Sequence, residues 1–402
     1  MKILIIGGGY TSCCVARMLA DLGHQPIIFE KENQLGGMAR SFTKEGMTYE
    51  FGPHILANHA SEQRVIDFIL KYIEVIPTQM DSATFLQSKH LNYPPYFGDI
   101  PKLKESAQIN LELEKLIHIK VDEANFESYL KSKVGATLYE LYFKHFTEKF
   151  WMVDPSTLSA NWAKLRHLGQ SLTEKRMFFN QSWCAYPKTD FNELFRNISN
   201  NLEVHFNVTI KNIDTDKTTI TDSSGATIQG DIIISTLSLD TLFQYKFGEL
   251  EYRGYLIEPK IINQEYFHLQ NPDSKKHYSM VYYPEPNVPY TRTTEYKCFN
   301  HKAGDEAYHG RTIITVETPS KSAKFYPFMD KTNENKFSQY IKHLANYPNL
   351  VSLGRLGLYK YTTLDTTTQQ VFRFIEKFAS WKMYNAEERL NNYHYIRGSW
   401  NN

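Results

Sequence analysis

The chain has 402 residues, more than one simple domain of roughly 100–200 residues holds, so two or three domains are expected. A composition of 42% hydrophobic and 22% charged residues excludes a mainly disordered chain. Forty-five Lys and Arg against 44 Asp and Glu leave a formal net charge of +1, so no bulk charge draws nucleic acid or an acidic membrane.

The N-terminus runs directly into Ile3 to Ile6, an apolar run too short for a signal-peptide core. No stretch approaches the roughly 18 apolar residues that span a membrane, so a cytoplasmic protein is expected. Ile3 to Ile6 reads as a strand buried on both faces of a parallel sheet. Gly7, Gly8 and Gly9 follow, then Ser12 and a helical pattern through Val15, Met18, Leu19 and Leu22. In the spacing Gly7-x-Gly9-x-x-Ser12, Gly7 permits the tight turn and Gly9 lets a pyrophosphate approach the backbone. Ser12 supplies the small residue where helix meets strand. Gly23 ends the helix and Gln25 to Phe29 reads as the second strand. Glu30 closes it, about twenty residues beyond the glycines, where a carboxylate accepts both ribose hydroxyls of an adenosine. Lys31 beside it joins the expected cofactor-binding residues.

Gly36-Gly37-Met38-Ala39-Arg40-Ser41 comes next, then Tyr49 to Leu56 with a rigid Gly52-Pro53-His54 turn. Residues 105 to 165 carry helical spacing (Leu111, Leu113, Leu116, Ile117) and read as a helical lobe. Asp231 to Thr236 is another buried strand that returns the chain to the first domain. Residues 255 to 320 alternate apolar and polar and read as an antiparallel sheet. Thr366 to Lys377 reads as a final amphipathic helix whose start, at Asp365 and Thr366, presents backbone amides to a cofactor. Cys13, Cys14, Cys184 and Cys298 make no CxxC pair and join no His cluster at zinc spacing, so free thiols and no metal are expected. The 14% aromatic content, with 27 Tyr and 25 Phe, suits a Tyr-rich core and also a cleft of stacking rings and phenolic hydroxyls.

The Gly36–Ser41 segment resembles the GG-x-A-R-S/T loop of FAD proteins with a glutathione-reductase-like fold. That resemblance moves the expected cofactor from NAD to FAD, with Gly36, Gly37 and Arg40 along its pyrophosphate. Five further segments resemble the UDP-galactopyranose mutase family. Phe51-Gly52-Pro53-His54-Ile55 is similar to its Y-G-P/A-H-I-F segment, and Phe146-Thr147-Glu148-Lys149-Phe150-Trp151 to Y-T-x-K-Q-W. Phe247 to Arg253 is similar to F-G-x-L-x-Y-R, Val288 to Arg292 to V-P-Y-T-R, and Gly354 to Tyr361 to G-R-L-x-x-Y-K/R-Y.

The resemblance implies an α/β fold: a glutathione-reductase-like Rossmann FAD-binding domain (1–75, 189–245, 345–402), an antiparallel substrate-side sheet (76–104, 166–188, 246–344) and an inserted helical lobe (105–165). It implies an isomerase that interconverts pyranose and furanose forms of a nucleotide-diphosphate hexose, UDP-galactose or a modified hexose, in the supply of galactofuranose to cell-surface polysaccharide. Reduced FAD would act through N5 as covalent nucleophile with no net redox change. An external reductant such as NAD(P)H would charge it, and a homo-oligomer is admitted. A redox flavoenzyme on the same scaffold, an oxidase or dehydrogenase of the amine-oxidase type, is the alternative; a non-catalytic binder is the third reading.

Carried over residue by residue, the resemblance puts Pro53, His54 and Ile55 beside the isoalloxazine, and Gly354 and Arg355 with the cofactor. Arg292 is the first candidate for the arginine aimed at the departing diphosphate, with Arg253 behind it or near the phosphates. Tyr326 and Tyr361 match phosphate-binding tyrosines, and Trp151 is expected to face the sugar. Tyr142 and Phe146, one turn apart, either sandwich the nucleobase or belong to the core. Four positions depart from the family's pattern. Its second His is Ala57, its essential Arg is Leu165, a phosphate-binding Tyr is Arg176, and an Asp is Thr363. Arg166 or Arg176 is expected to supply the missing charge from a closing segment, 165–179.

Overall fold

A computed structural model of the chain describes residues 1–78, 80–166, 168, 183–300 and 305–398. Its first layer is a five-stranded, wholly parallel sheet. Across it lie Glu203–His205, β2 (Gln25–Phe29), β1 (Lys2–Ile6), Ile232–Ser235 and Leu350–Ser352. The central strands are unbroken Ile runs because they are covered on both faces, and Ile3, Ile5, Ile233 and Ile234 are fully buried. Helix α1 (Tyr10–Asp21) packs against the helix Leu364–Phe378. A three-stranded antiparallel meander, Ile210–Asp214, Thr219–Asp222 and Thr227–Gln229, carries the chain from the outer strand back to the centre.

The second layer is a seven-stranded sheet. Its long strands, Tyr252–Ile262 and Thr312–Ser320, pair antiparallel in continuous register from Gly254↔Ser320 to Ile262↔Thr312. Arg292–Glu295 pairs beside them, which sets Arg292 directly opposite Glu317 and, on its other side, opposite Tyr282. The expected antiparallel pattern has one exception, the parallel pair Met280–Tyr282 with Ser82–Leu86. These two strands come from distant parts of the chain, so no hairpin dictates their direction.

The helical lobe has its own core, including Phe126, Leu130, Val134, Tyr139, Phe143 and Trp151. Two of its helix starts are capped by side chains: Asn125 and Ser159 accept from Ser128 and Asn161 backbone N–H groups at 2.8 and 3.2 Å. Tyr139–Lys144 is a π-helical turn, followed by the α-helix His145–Trp151. The helix expected over Thr366 to Lys377 runs over Leu364–Phe378 and is not the last. Ala386–Arg397 follows, started by a reciprocal Asn385–Glu388 capping box. Its buried residues are only Arg389, Tyr393 and Ile396, too few to give an apolar stripe in the sequence. Among the described residues no helix is long and apolar enough to cross a membrane, and no acidic, His or Cys cluster offers a metal site.

Candidate functional site

Between the two layers lies a cavity of about 1230 Å³, reaching from the β1–α1 turn to the antiparallel sheet. That exceeds the roughly 300–1,000 Å³ of an ordinary small-molecule pocket and leaves room for two ligands. Eight Lys or Arg residues line it against two carboxylates, Glu30 and Glu32, so its walls favour anions.

At the glycine end, Gly7 has φ +94°, and a Cβ there would lie 2.5 Å from Thr236 Oγ1. Gly9 begins α1, and a Cβ built on it meets nothing within 4 Å. It faces open cavity, and only a glycine leaves that space to a ligand. Gly36 N–H donates to Gly8 O at 2.8 Å, and Gly37 comes so close to Gly9 that a Cβ would sit 3.1 Å from its Cα. Glu30 is buried; its Oε2 accepts Gly8 N–H at 2.5 Å and its Oε1 accepts Glu32 N–H at 2.8 Å. Each oxygen keeps a second lone pair. The Arg40 guanidinium lies over the Phe42 and Phe51 rings, at 4.9 and 5.9 Å, and its buried Nε has no hydrogen-bond partner. It is a fixed cation with a donor to spare. Thr363 caps the helix Leu364–Phe378 through a capping box with Thr366, and Thr363, Leu364, Thr366 and Thr367 line the cavity. Lys31 stands at the rim, largely exposed and 3.5 Å from Glu32.

Two residues expected to bind cofactor lie behind the wall. Ser12 is fully buried, 3.2 Å from Thr236 Oγ1, and serves the helix–strand packing that its small size allows. Asp365 is one residue inside the helix because the helix starts earlier than expected. Its carboxylate turns to Ala60 N–H (2.8 Å), Thr363 Oγ1 (2.5 Å) and His59 Nδ1 (3.5 Å). Burial pushes that carboxyl up, but these partners outweigh it and hold it below its usual range. The sequence departures at Ala57 and Thr363 are thus each followed, two residues on, by His59 and Asp365, which meet at this wall.

At the sheet end, Tyr326 and Tyr361 stack with centroids 5.3 Å apart. Arg166 Nη1 donates to Tyr361 Oη at 2.9 Å. Arg355 lies 4.8 Å over the Tyr361 ring, held by Phe325 O (3.0 Å) and Thr362 O. Arg292 lines the same space but is already paired. Its Nε and Nη2 donate to Glu317 Oε2 at 2.8 and 2.5 Å, and Thr294 Oγ1 donates to Glu317 Oε1 at 2.6 Å. Among the described residues no carboxylate pairs with Arg166, so of these two arginines Arg166 is the less compensated. Pro53, His54 and Ile55 line the middle of the cavity, with Gly354 beside Thr11.

Besides Ser12 and Asp365, four more expected site residues do not line the cavity. Arg253 is 2% exposed and spends its donors on Trp151 O, Tyr252 O and Glu251 while stacking on Phe328. Trp151 is buried against Trp162, and it is Trp162 that meets Tyr326 and Tyr361, at 6.2 and 6.0 Å. Tyr142 is in the lobe core, and Phe146 packs on Phe150 and Tyr282. The intervening π turn breaks the 3.6-residue spacing that would have aligned them. Arg176 lies outside the described residues. Sequence reasoning missed Lys324, which donates to Ser238 Oγ at 3.2 Å, and Tyr282, which lies 5.7 Å from the Arg292 guanidinium. Register gives Tyr282 away only once its strand pairing is known.

A sequence model of the UDP-galactopyranose mutase family matches residues 141–361, just over half of the chain, and one of NAD(P)-binding Rossmann-like domains matches residues 5–72. The chain is 23% identical over 395 residues to a probable UDP-galactopyranose mutase of Klebsiella pneumoniae, covering 96% of this chain and 97% of that one. It is 24% identical over 380 residues to a dTDP-fucopyranose mutase of Escherichia coli, covering 92% and 96%. In fold it is similar to the crystal structure of a reduced UDP-galactopyranose mutase, with TM-score 0.77 and 20% identity over 99% of both chains. It also resembles a putative protoporphyrinogen oxidase from Exiguobacterium, with TM-score 0.69 and 14% identity over 94% and 98%.

Proposed function

The chain belongs to the UDP-galactopyranose mutase family, whose members are isomerases, and from that premise we propose that it interconverts the pyranose and furanose forms of a hexose carried on a nucleoside diphosphate, with FAD bound in its reduced state. The observation that carries the reading is the single cavity with two anion-binding ends, the glycine turn with Arg40 at one and Arg166 with the stacked tyrosines at the other.

The residues present fit FAD. Gly9 leaves the space a pyrophosphate needs, Arg40 keeps an unused donor, and Glu30 has lone pairs for ribose hydroxyls. The helix start at Thr363–Thr366 adds backbone amides. When bound and reduced, the flavin supplies the nucleophile for the anomeric carbon, without net redox change; NAD(P)H is the proposed reductant. The chain's own task is to hold a diphosphate whose negative charge grows as it leaves. Arg166, which no carboxylate among the described residues pairs, meets that charge as a cation, and Tyr326 and Tyr361 hold it with their hydroxyls. Arg355 sits behind the tyrosines and orients Tyr361 by stacking. Glu317 fixes Arg292 at the sheet surface, so Arg292 adds direction more than net charge. Trp162 packs edge-on against both tyrosines from behind the wall and holds them in place.

The test is anaerobic incubation of purified protein, with and without dithionite, with UDP-galactopyranose and with dTDP-fucopyranose. Furanose product formed only in the reduced sample supports the reading. Stoichiometric reduction of oxidised flavin by either sugar nucleotide would replace it with a redox activity.

A further inference from the structure

We propose that Glu50, His54 and Tyr186 form a proton relay in the cavity wall, in which Glu50 is a positioning residue and His54 Nε2 is the atom that exchanges a proton with the sugar. The inference rests on the mutase reading above.

Glu50 ends the strand Met47–Glu50 and is 0% exposed. Gly52, at φ +105°, folds the next residues back so that His54 lies over the carboxylate. Oε2 accepts His54 N–H at 3.0 Å and faces His54 Nδ1 at 2.9 Å, while Oε1 accepts the Tyr186 hydroxyl. No lysine or arginine among the described residues pairs with Glu50. The nearby Arg292, whose Nη2 would sit 3.3 Å from a Cβ on Gly52, is committed to Glu317. A buried carboxylate without a cation is costly, so the imidazole is the group suited to balance it. Burial and the Glu50 charge push the Tyr186 phenol up, which keeps it a donor. A carboxylate only accepts, so Nδ1 carries hydrogen and Nε2 is left to gain or lose a proton at the cavity that His54 lines. Phe191 packs edge-on at 5.9 Å and holds the ring, and Tyr296 Oη fixes Glu50 O at 3.1 Å.

Ring exchange needs such a group. When the pyranose opens, the bond pair between the anomeric carbon and the ring oxygen leaves with that oxygen, which takes a proton from Nε2, and the nucleophile attached to that carbon would supply the pair it loses. When a different hydroxyl closes on the anomeric carbon, its oxygen supplies the new bond pair, the nucleophile recovers its own pair, and the hydroxyl proton returns to Nε2. One proton is lent and recovered at His54.

The charged and titratable groups around His54 are Glu50 and Tyr186 behind it, Arg292 beside the Gly52 turn, and Tyr296 on Glu50. Histidine nitrogen NMR on FAD-loaded protein tests the dyad. Glu50→Gln should move the His54 Nδ1–H signal upfield, because the acceptor at 2.9 Å loses its charge and the hydrogen bond weakens. Tyr186→Phe should move it downfield, because Glu50 loses its other donor and is left to hold Nδ1–H more strongly. Steady-state turnover should then fall about 10²-fold in Glu50→Gln at little changed KM, with partial recovery in Glu50→Asp. A His54 Nδ1–H signal indifferent to both changes overturns the relay whatever the activity, and so does an unchanged turnover in Glu50→Gln. Wild-type protein that converts neither sugar nucleotide in the reduced state, with the NMR shifts as expected, instead sinks the mutase reading and takes the relay's catalytic role with it.

Discussion

Arg166 and Arg292 face one cavity, yet they are different tools because of what each already touches. Among the described residues Arg166 has a phenol and no carboxylate for a partner, which leaves its charge to a ligand. Arg166→Ala should weaken nucleoside-diphosphate binding by about 1.5–3 kcal/mol, the range for a hydrogen bond to a charged group, measured by calorimetry on FAD-loaded protein. Binding equal to wild type would remove Arg166 from the diphosphate site. Arg292 is held by Glu317, and its sequence-derived role as chief diphosphate clamp overlooked a partner 25 residues away in the chain. Arg292→Ala leaves a buried carboxylate unpaired, so it should cost about 3–5 kcal/mol in urea unfolding, with much of that recovered in Arg292→Ala/Glu317→Gln. A stable single variant would show that the pair is not the anchor described here. Gly9 gives the cleanest contrast. Its φ of −72° is open to any residue and its missing Cβ faces empty space, so Gly9→Val should fold but bind no FAD, by far-UV dichroism and flavin absorbance. The Gly7 to Glu30 segment was legible in the sequence because its chemistry is local: one turn, one helix and one strand end within 24 residues. The Glu317 partner of Arg292 and the Trp162 partner of Trp151 were not legible, because a motif names a residue type and not the side chain that stands next to it.

Elements set which of these residues meet. Lys149, from the helix His145–Trp151, donates to the carbonyls of Tyr283, Glu285, Val288 and Tyr290 at 2.5 to 3.2 Å. It ties the lobe to the loop that leads into Arg292, and this gives the Lys of the 146–151 motif a structural reason. Tyr142 and Phe146 illustrate the limit of periodicity, since a π turn is invisible to a 3.6-residue count. Pairing Met280–Tyr282 with Ser82–Leu86 was likewise unreadable, because 198 residues separate the partners Met280 and Ser82. The same region carries a pH dependence. His268 is buried, bonded through Nδ1 to Tyr278 O and through Nε2 to Thr293 Oγ1, and burial lowers its pKa from 6.5 to about 3. The unfolded chain therefore binds a proton near pH 6.5 that the folded chain refuses until about pH 3. Stability from this group is full above pH 6.5 and falls as pH drops towards 3, by at most about 1.4 kcal/mol per pH unit. Urea unfolding at pH 5 and pH 7 should show a larger loss for wild type than for His268→Gln; equal losses would refute it.

At the scale of the molecule, a parallel sheet ends in a glycine turn, an antiparallel sheet ends in arginines and tyrosines, and both open on one cavity. The layered architecture was readable because buried Ile runs and alternating strands have different periods. The size of the cavity was not, since it is set by how the layers face each other. Cationic and donor groups at both ends of one enclosure suit the proposed reaction, in which a dinucleotide and a diphosphate-bearing substrate would meet at one reacting carbon. On the proposed function this meeting isomerises the sugar without net electron transfer. The direct test counts product against flavin in an anaerobic reaction started from fully reduced, FAD-loaded protein and excess UDP-galactopyranose or dTDP-fucopyranose, with the flavin spectrum followed throughout. Furanose product should form far in excess of flavin while the spectrum stays that of the reduced form. Product limited to one equivalent per flavin, or flavin oxidised in step with product, would contradict it.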